Sequence, residues 1–322
     1  MRLSIERLTA ESAATGFRPE MLEKVIHLLG LLEGFTRHPY LKNRIALKGG
    51  TALNLFVFDL PRLSVDSDWN YIGAPDRETM IAERPKVEQA IAAVCGRQDF
   101  AIQRIPEDHA GGKWRLRYDS ALGQGGNVEV DLNFMFRVPL WPIVIRDSRP
   151  IGSHSASGIP ILDEHELAAG KLAALLSRHA ARDLFDAHQY LIRAAFDPVM
   201  LRLALIVYGA LNRKDWRTVS VDDIGFETHE LRSTLVPVLR TDHLAAMDDP
   251  DGWAERMVEE TRAALTVVLP FAAKEREFLD RTLDHGHMEP LLLTDDPELA
   301  DRIVHHPGLL WKAQNVREFR GI

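Results

Sequence analysis

From Arg44 to Ile72 the chain reads RIALKGGTALNLFVFDLPRLSVDSDWNYI, and this stretch narrows the possible folds more than any other. RIALKGG reads as a short strand running into a glycine turn, and TALNLFVF as the start of a helix with Thr51 at its N-cap. RLSVDSDWNYI follows as a second strand. Successive side chains on a strand point to opposite faces, so Ser64, Asp66 and Asp68 share one face while Val65, Ser67 and Trp69 share the other. Two carboxylates side by side raise each other's pKa, and a divalent cation between them relieves the repulsion. Hard oxygen ligands favour Mg²⁺ or Mn²⁺, which keep waters and substrate phosphates as further ligands. Taken alone, a D-x-D more often marks the wet face of a strand.

The combination carries more than its parts. Gly49 and Gly50 let the backbone approach a ligand, and the amides opening the next helix would face it with the positive end of the helix dipole. Two glycines are also a routine way to turn a strand into a helix, and no full P-loop is present. Lys48, Gly49, Gly50 and Thr51 are therefore candidate phosphate-binding residues, set beside a candidate metal site at Asp66 and Asp68. A third acid comes from NVEVDLNF, where Val128, Val130, Leu132 and Phe134 form an apolar face and Glu129, Asp131 and Asn133 the opposite one. Asp131 is the choice for a carboxylate shared with Asp66 and Asp68. An ordinary half-exposed strand accounts for it equally well.

Along the chain, PEMLEKVIHLLGLLEGFT (19–36) is an amphipathic helix opened by a proline, and residues 80–95 are helical again. FAIQRI, KWRLRYDS and NVEVDLNFMFRV alternate as strands, separated by the turns HAGGK and GQGGN. The Gly/Ser/Pro-rich stretch RPIGSHSASGIP (149–160) is the candidate boundary, beyond which the chain reads as nearly all helix. The expected class is α+β: a small mixed-sheet domain over 1–155 and a mostly helical domain over 156–322, bilobed with a central cleft.

Composition sets limits. The net charge of −8 is uneven: residues 1–150 carry 20 Lys and Arg against 19 Asp and Glu, whereas 151–322 carry 19 against 28. Such a chain is a poor nonspecific coat for nucleic acid, although a local basic groove is allowed. The single cysteine, Cys95, excludes an internal disulfide and a cysteine-based zinc cluster. MRLSIERLTAES has no uninterrupted apolar core, and LALIVYGAL (203–211) falls short of the roughly 18 residues a membrane span needs. The expectation is a cytoplasmic protein without membrane association. Close histidine pairs, His285/His287 and His305/His306, lack nearby cysteines and read as surface or loop residues. Lys113, Arg115 and Arg117 alternate on one strand face, which is more simply solvated than bound to nucleic acid.

LKGGTAL…LPRLSVDSDW resembles the nucleotidyltransferase fold of the polymerase-beta superfamily, and specifically the AbiEii/MenT-type toxins of type IV toxin–antitoxin systems. Their Gly-Gly-Ser/Thr turn is followed by R-x-S-x-D-x-D, which Arg62, Ser64, Asp66 and Asp68 match position for position. Ser67 departs from the pattern, which commonly has a hydrophobic residue between the aspartates. ELAAGKLAALLSRHAARDLFDAHQYL is similar to the family's second block, with Lys171, Arg182, Asp183 and Asp186 in the matching places. HPGLLWKAQNVREF is similar to its carboxy-terminal W-K…N element. On a continuous helix, Lys171, Arg178 and Arg182 would fall within about 40° of one another, a cationic stripe with Asp186 a little further round. A solvated face with an Arg182–Asp186 pair is the plainer alternative.

The resemblance implies an NTP- and Mg²⁺-dependent transfer of NMP to an acceptor hydroxyl, with a tRNA 3′ end as the acceptor. Asp66, Asp68 and Asp131 would hold metal, and Asp131 would assist deprotonation of the acceptor. Lys48, Gly49, Gly50, Thr51 and Ser64 would meet the phosphates, while Lys171, Arg182, Asp183 and Asp186 would counter or orient their charge. An AbiEi-like antitoxin encoded nearby is the implied partner. Two other classes stay open: a small-molecule or protein nucleotidylyltransferase, and a nucleotide-binding regulator without turnover.

Overall fold

The computed structural model describes residues 3–59, 61–106, 110–247 and 249–321. Leu60 of the quoted motif, His109 of the HAGGK turn, and Met1 and Arg2 of the amino-terminal segment lie outside them.

The first compact unit comprises residues 1–137, 143–162 and 235–248. Helix α1 (Ile5–Thr15) starts where the Ser4 hydroxyl accepts from Arg7 N–H and stops at Gly16 in the left-handed region. Helix α2 (Pro19–Arg37) opens on proline and buries Leu22, Val25, Leu28, Leu29, Leu32 and Phe35. Strand β1 (Ile45–Lys48) passes directly into the short helix α3 (Gly49–Ala52), which widens into a π-type turn over Leu53–Val57. Strand β2 (Asp66–Tyr71) and helix α4 (Arg77–Arg97) follow, then β3 (Ala101–Arg104), β4 (Gly111–Asp119) and β5 (Gly125–Asn133). Gly111 and Gly112 of HAGGK and Gly125 and Gly126 of GQGGN are thus already part of those strands, while Gly123 stays in the turn before β5. Strands β6 (Val144–Arg146) and β7 (Ile159–Ile161) complete the unit's sheet.

Among the described residues the sheet has seven strands, ordered β3-β4-β5-β2-β1-β7-β6. The β2–β5 and β1–β7 pairs are parallel, and the others are antiparallel. One face of the central strands is apolar: Trp69, Tyr71, Trp114, Leu116, Val130 and Leu132 are buried, and Phe35 of α2 meets Trp69 edge-on with ring centres 5.7 Å apart. The opposite face carries the polar alternates of β2, β4 and β5. The stretch 149–160 connects β6 to β7, and residues 235–248 return from the helical half to the sheet unit. There Leu63 N–H donates to Val238 O at 2.9 Å and Arg240 N–H to Pro61 O at 2.8 Å, fixing the chain just ahead of β2.

The second unit comprises residues 138–142, 163–234 and 249–322, described here to 321. It holds α5 (Glu164–Arg178), α6 (Ala181–Arg193), α7 (Pro198–Ala210) and the single turn α8 (Thr228–Glu230). Helix α9 (Thr241–Ala245) belongs to the returning segment of the sheet unit. Helices α10 (Pro250–Leu265), α11 (Ala273–His285), α12 (Pro297–Val304) and α13 (Pro307–Arg320) finish the second unit. No helix among the described residues is long and apolar enough to cross a membrane.

Glu166 of α5 is buried among these helices, accepting from Leu140 N–H at 3.0 Å, Trp141 N–H at 3.2 Å and the Tyr208 hydroxyl at 3.0 Å. Burial is the larger influence and pushes its carboxyl from 4.5 to about 7 despite those donors. The folded state therefore holds this proton more tightly than the unfolded chain. Its stabilising contribution is full below pH 4.5, declines as pH rises toward 7 and stays low above that. Glu166→Gln, which keeps the shape without the charge, is expected to be more stable than wild type by about 3 kcal/mol at pH 8 and by much less at pH 5. Urea unfolding at both pH values measures this, and an equal difference at the two would show that ionisation of Glu166 is not the cause.

Candidate functional site

Backbone register aligns the polar face of the sheet into two rows. Lys113 of β4 pairs with Asp131 of β5, Asp131 with Asp68 of β2, and Asp68 with Lys48 of β1. One row further, Arg115 pairs with Glu129 and Glu129 with Asp66. Side chains at paired positions share a face. The sequence-predicted Asp66, Asp68 and Asp131 therefore stand together on one side of the sheet, with Lys48 and Lys113 flanking the Asp131–Asp68 row.

The two rows are electrostatically different. Lys113 donates to Glu129 at 3.0 Å and Arg115 lies 3.6 Å from it, so Glu129 is held below the usual carboxylate range chiefly by the Lys113 bond. These pairs engage two of the basic residues that alternate on β4. Asp68 and Asp131, in contrast, accept no hydrogen bond and form no ion pair with any described residue. Burial, and then the neighbouring Asp68, push the Asp131 carboxyl up, against the opposing pull of Lys48 and Lys113. Among the described residues no group of three or more His, Cys, Asp or Glu side chains is placed to hold a metal ion by itself. What stands instead is an open carboxylate row with uncommitted oxygens, a donor set that suits a hard cation still carrying water or phosphate ligands.

The Gly-Gly-Thr turn belongs to this site for a reason the sequence did not show. Gly49 has φ +74°, and a Cβ built on it would overlap the Asp68 carboxylate. Glycine is thus required twice, by backbone conformation and by the close approach of Asp68. Thr51 is not the helix N-cap, which falls at Lys48, because the helix begins at Gly49. Its buried hydroxyl donates to the backbone oxygen of Asp66, tying the turn to the first residue of β2. Ser64 also departs from expectation: β2 starts at Asp66, so Ser64 precedes the strand and is buried instead of standing on the half-exposed face. Lys48 Nζ lies over the Phe136 ring, 5.3 Å from its centre.

Gly49→Ala is expected to cost about 1–2 kcal/mol of stability through its left-handed backbone alone. It should also displace the Asp68 carboxylate. A thermal melt paired with a nucleotidyl-transfer assay tests both, and a variant with wild-type transfer would break the proposed coupling between turn and aspartate.

In the second unit the expected single stripe does not exist. Helix α5 ends at Arg178, His179 adopts a left-handed conformation with φ 54°, and α6 begins at Ala181. Lys171 and Arg178 therefore stand on one helix, while Arg182, Asp183 and Asp186 stand on the next. Lys171 Nζ bridges the two acids at 2.9 Å from Asp183 and 3.0 Å from Asp186, and Arg178 binds Asp183 at 2.6 Å. Burial would raise the Asp183 pKa, but Lys171 and Arg178 outweigh it and hold the group below the usual carboxylate range. Of the histidines, His306 is not a surface residue: it is buried and accepts from Leu309 N–H as the N-cap of α13. Cys95 is buried in α4, as its helical segment implies.

Residues 30–268 match the family described as nucleotidyl transferase AbiEii toxin, type IV TA system. The chain belongs to this family and is a nucleotidyltransferase. Among solved structures it is similar to MenT4, a nucleotidyltransferase toxin from Mycobacterium tuberculosis H37Rv, with a TM-score of 0.56 at 17% identity over 95% of this chain and 99% of that one. None of the curated proteins compared matches it in sequence. Membership implies NMP transfer from an NTP, a divalent metal, and an antitoxin partner.

Proposed function

We propose that the protein transfers NMP from an NTP to a hydroxyl of tRNA, at its 3′ end, with Mg²⁺ as the metal. The observation that carries this reading is the pair of uncommitted carboxylates, Asp68 and Asp131, in one register row between Lys48 and Lys113. Two acids without a hydrogen-bond or ion-pair partner among the described residues, on a sheet face next to a glycine turn shaped around one of them, are arranged for a ligand.

Asp66, Asp68 and Asp131 would hold Mg²⁺. When bound, the ion would supply charge stabilisation at the reacting phosphate and lower the pKa of the attacking hydroxyl. The protein's own groups then have separable tasks. Gly49 and Gly50 bring backbone close to the phosphates without side-chain obstruction. Lys48, next to the turn, offsets triphosphate charge. Thr51 keeps the turn attached to β2 through its bond to Asp66 O, which orients the metal-binding strand without touching substrate. Asp131, the acid with the raised pKa, is suited to take the proton of the acceptor hydroxyl. Ser64, Arg182, Asp183 and Asp186 complete the expected set, and Lys171→Arg tests whether the second unit's buried lysine contributes to transfer beyond holding its two acids.

The deciding experiment incubates the purified protein with Mg²⁺, total tRNA and each α-labelled NTP in turn, beside the Asp66→Asn/Asp68→Asn variant. Label should move onto RNA with the wild type and not with the variant. Label on protein or on a small molecule would replace the acceptor. Nucleotide binding without any turnover, unaffected by the two substitutions, would make the protein a regulator. An AbiEi-like antitoxin is the proposed partner, and co-expression with it is expected to relieve growth arrest caused by the wild type.

A further inference from the structure

The second unit carries a surface that the site on the sheet does not explain. Helix α13 presents Trp311, Asn315 and Phe319 at intervals of four residues, so they form one stripe, with the two rings about 12 Å apart along the axis. Trp311 is 57% exposed and Phe319 is 88% exposed. Large aromatics are seldom left so open on a face without a partner. The stripe borders a hollow of about 490 Å³, also lined by Arg213, Lys312 and Arg320.

The polar groups at this hollow identify the chemistry of its occupant. Among the described residues it is lined by three cations and no acid, in a chain whose net charge is −8. Arg213 is exposed, and neither its guanidinium nor the Asn315 side-chain amide has a hydrogen-bond partner among the described residues. Lys312 is anchored by donating to Asn212 O at 2.8 Å, and Arg320 reaches Asp284 at 3.3 Å in a pair that stays substantially exposed. Aromatic faces stack on bases, an amide reads a base edge with one donor and one acceptor, and guanidinium groups bind phosphates. These three elements together fit a single-stranded polynucleotide better than an acidic peptide, which would engage the cations and leave the paired rings and free amide without matching groups.

We propose that the hollow beside α13 is a docking site for unpaired RNA, with Trp311 and Phe319 as stacking platforms and Arg213 and Arg320 as phosphate contacts. The inference deepens the reading of the function, since it rests on RNA being the acceptor. It assigns part of the acceptor's binding energy to the helical unit.

The test measures fluorescence polarisation of labelled tRNA, of a short labelled single-stranded RNA and of a blunt RNA duplex. The expected result for Trp311→Ala/Phe319→Ala is a Kd at least tenfold higher for tRNA and for the single strand, with the duplex unaffected. Arg213→Ala/Arg320→Ala should flatten the slope of log K against log salt by about 1.4, at ~0.7 per phosphate contact on a single strand. All four side chains are solvent-facing, so melting temperatures should stay at the wild-type value. RNA affinities within twofold of wild type in both variants would overturn the inference. So would a glutamate–tyrosine copolymer whose binding is lost in the variants while RNA binding is retained. Transfer of label to RNA by variants that bind it normally would sink the docking site and leave the function standing. Weakened RNA binding by an enzyme that labels no RNA would leave the docking site and sink the acceptor assignment.

Discussion

Asp68→Asn is expected to lower the rate of nucleotidyl transfer by about 10³-fold or more while leaving the folded protein at least as stable as wild type. The two effects have one cause. Asp68 forms no hydrogen bond or ion pair with the described residues, so its removal deprives the fold of no partner. Its charge instead acts on Asp131, the register neighbour whose carboxyl it pushes up. Neutralising Asp68 relieves that repulsion, and a gain of several tenths of a kcal/mol is the expected order for one like-charge contact on a sheet. A residue that burdens stability and is needed for activity is placed for function. Steady-state transfer rates and urea midpoints, measured on the same preparations, test the pair of effects. Loss of stability with transfer preserved would make Asp68 a structural carboxylate. Asp131→Asn should behave in the same way, because the repulsion is mutual.

The legible part of this site was the part that depends on strand alternation. Asp66, Asp68 and Asp131 alternate with Ser67, Trp69, Val130 and Leu132, and a period of two fixes which side chains share a face whether or not the neighbouring strand is known. Register between strands was not readable. That Asp68 stands beside Asp131 and Lys48 follows from β2 lying between β1 and β5, a pairing of segments more than 60 residues apart in the case of β5. The reason for Gly49 was hidden for the same cause, since the clash it avoids is with a side chain on another strand. The sequence pattern supports a helix over 80–95, whereas α4 begins at Arg77, where the Asp76 side chain accepts from Thr79 N–H, and continues through Pro85. The α5–α6 break leaves no sequence signal, because RHAARD contains neither glycine nor proline and His179 takes a left-handed conformation more usual for glycine or asparagine. The return of residues 235–248 to the sheet unit left no periodic signal at all. It is held through backbone hydrogen bonds to Pro61 and Leu63, which side-chain patterns do not report.

Lys171→Met is expected to destabilise the protein by about 3–5 kcal/mol, the largest stability effect among the candidate site residues. The side chains of Asp183 and Asp186 are 3% and 0% exposed, and they share the Lys171 ammonium at 2.9 and 3.0 Å. Removing it takes the shared cation away from two buried carboxylates, while Arg178 stays bound to Asp183. The loss compares with a total stability of roughly 5–15 kcal/mol for a folded domain. Adding Asp186→Asn to Lys171→Met should recover part of it, because a single remaining acid keeps the Arg178 bond. The depressed Asp183 pKa sets the pH dependence: its stabilisation is present above the ordinary value of 3.8 and is lost as pH falls through the lower folded value. The difference between Lys171→Met and wild type should therefore shrink in acid. Urea midpoints at neutral and acid pH measure it, and a variant as stable as wild type at neutral pH would show that the two acids do not depend on Lys171. In that event loss of transfer in the variant could be read directly as a catalytic contribution; otherwise Lys171→Arg, which keeps the charge between the two acids, is the variant that separates catalysis from folding.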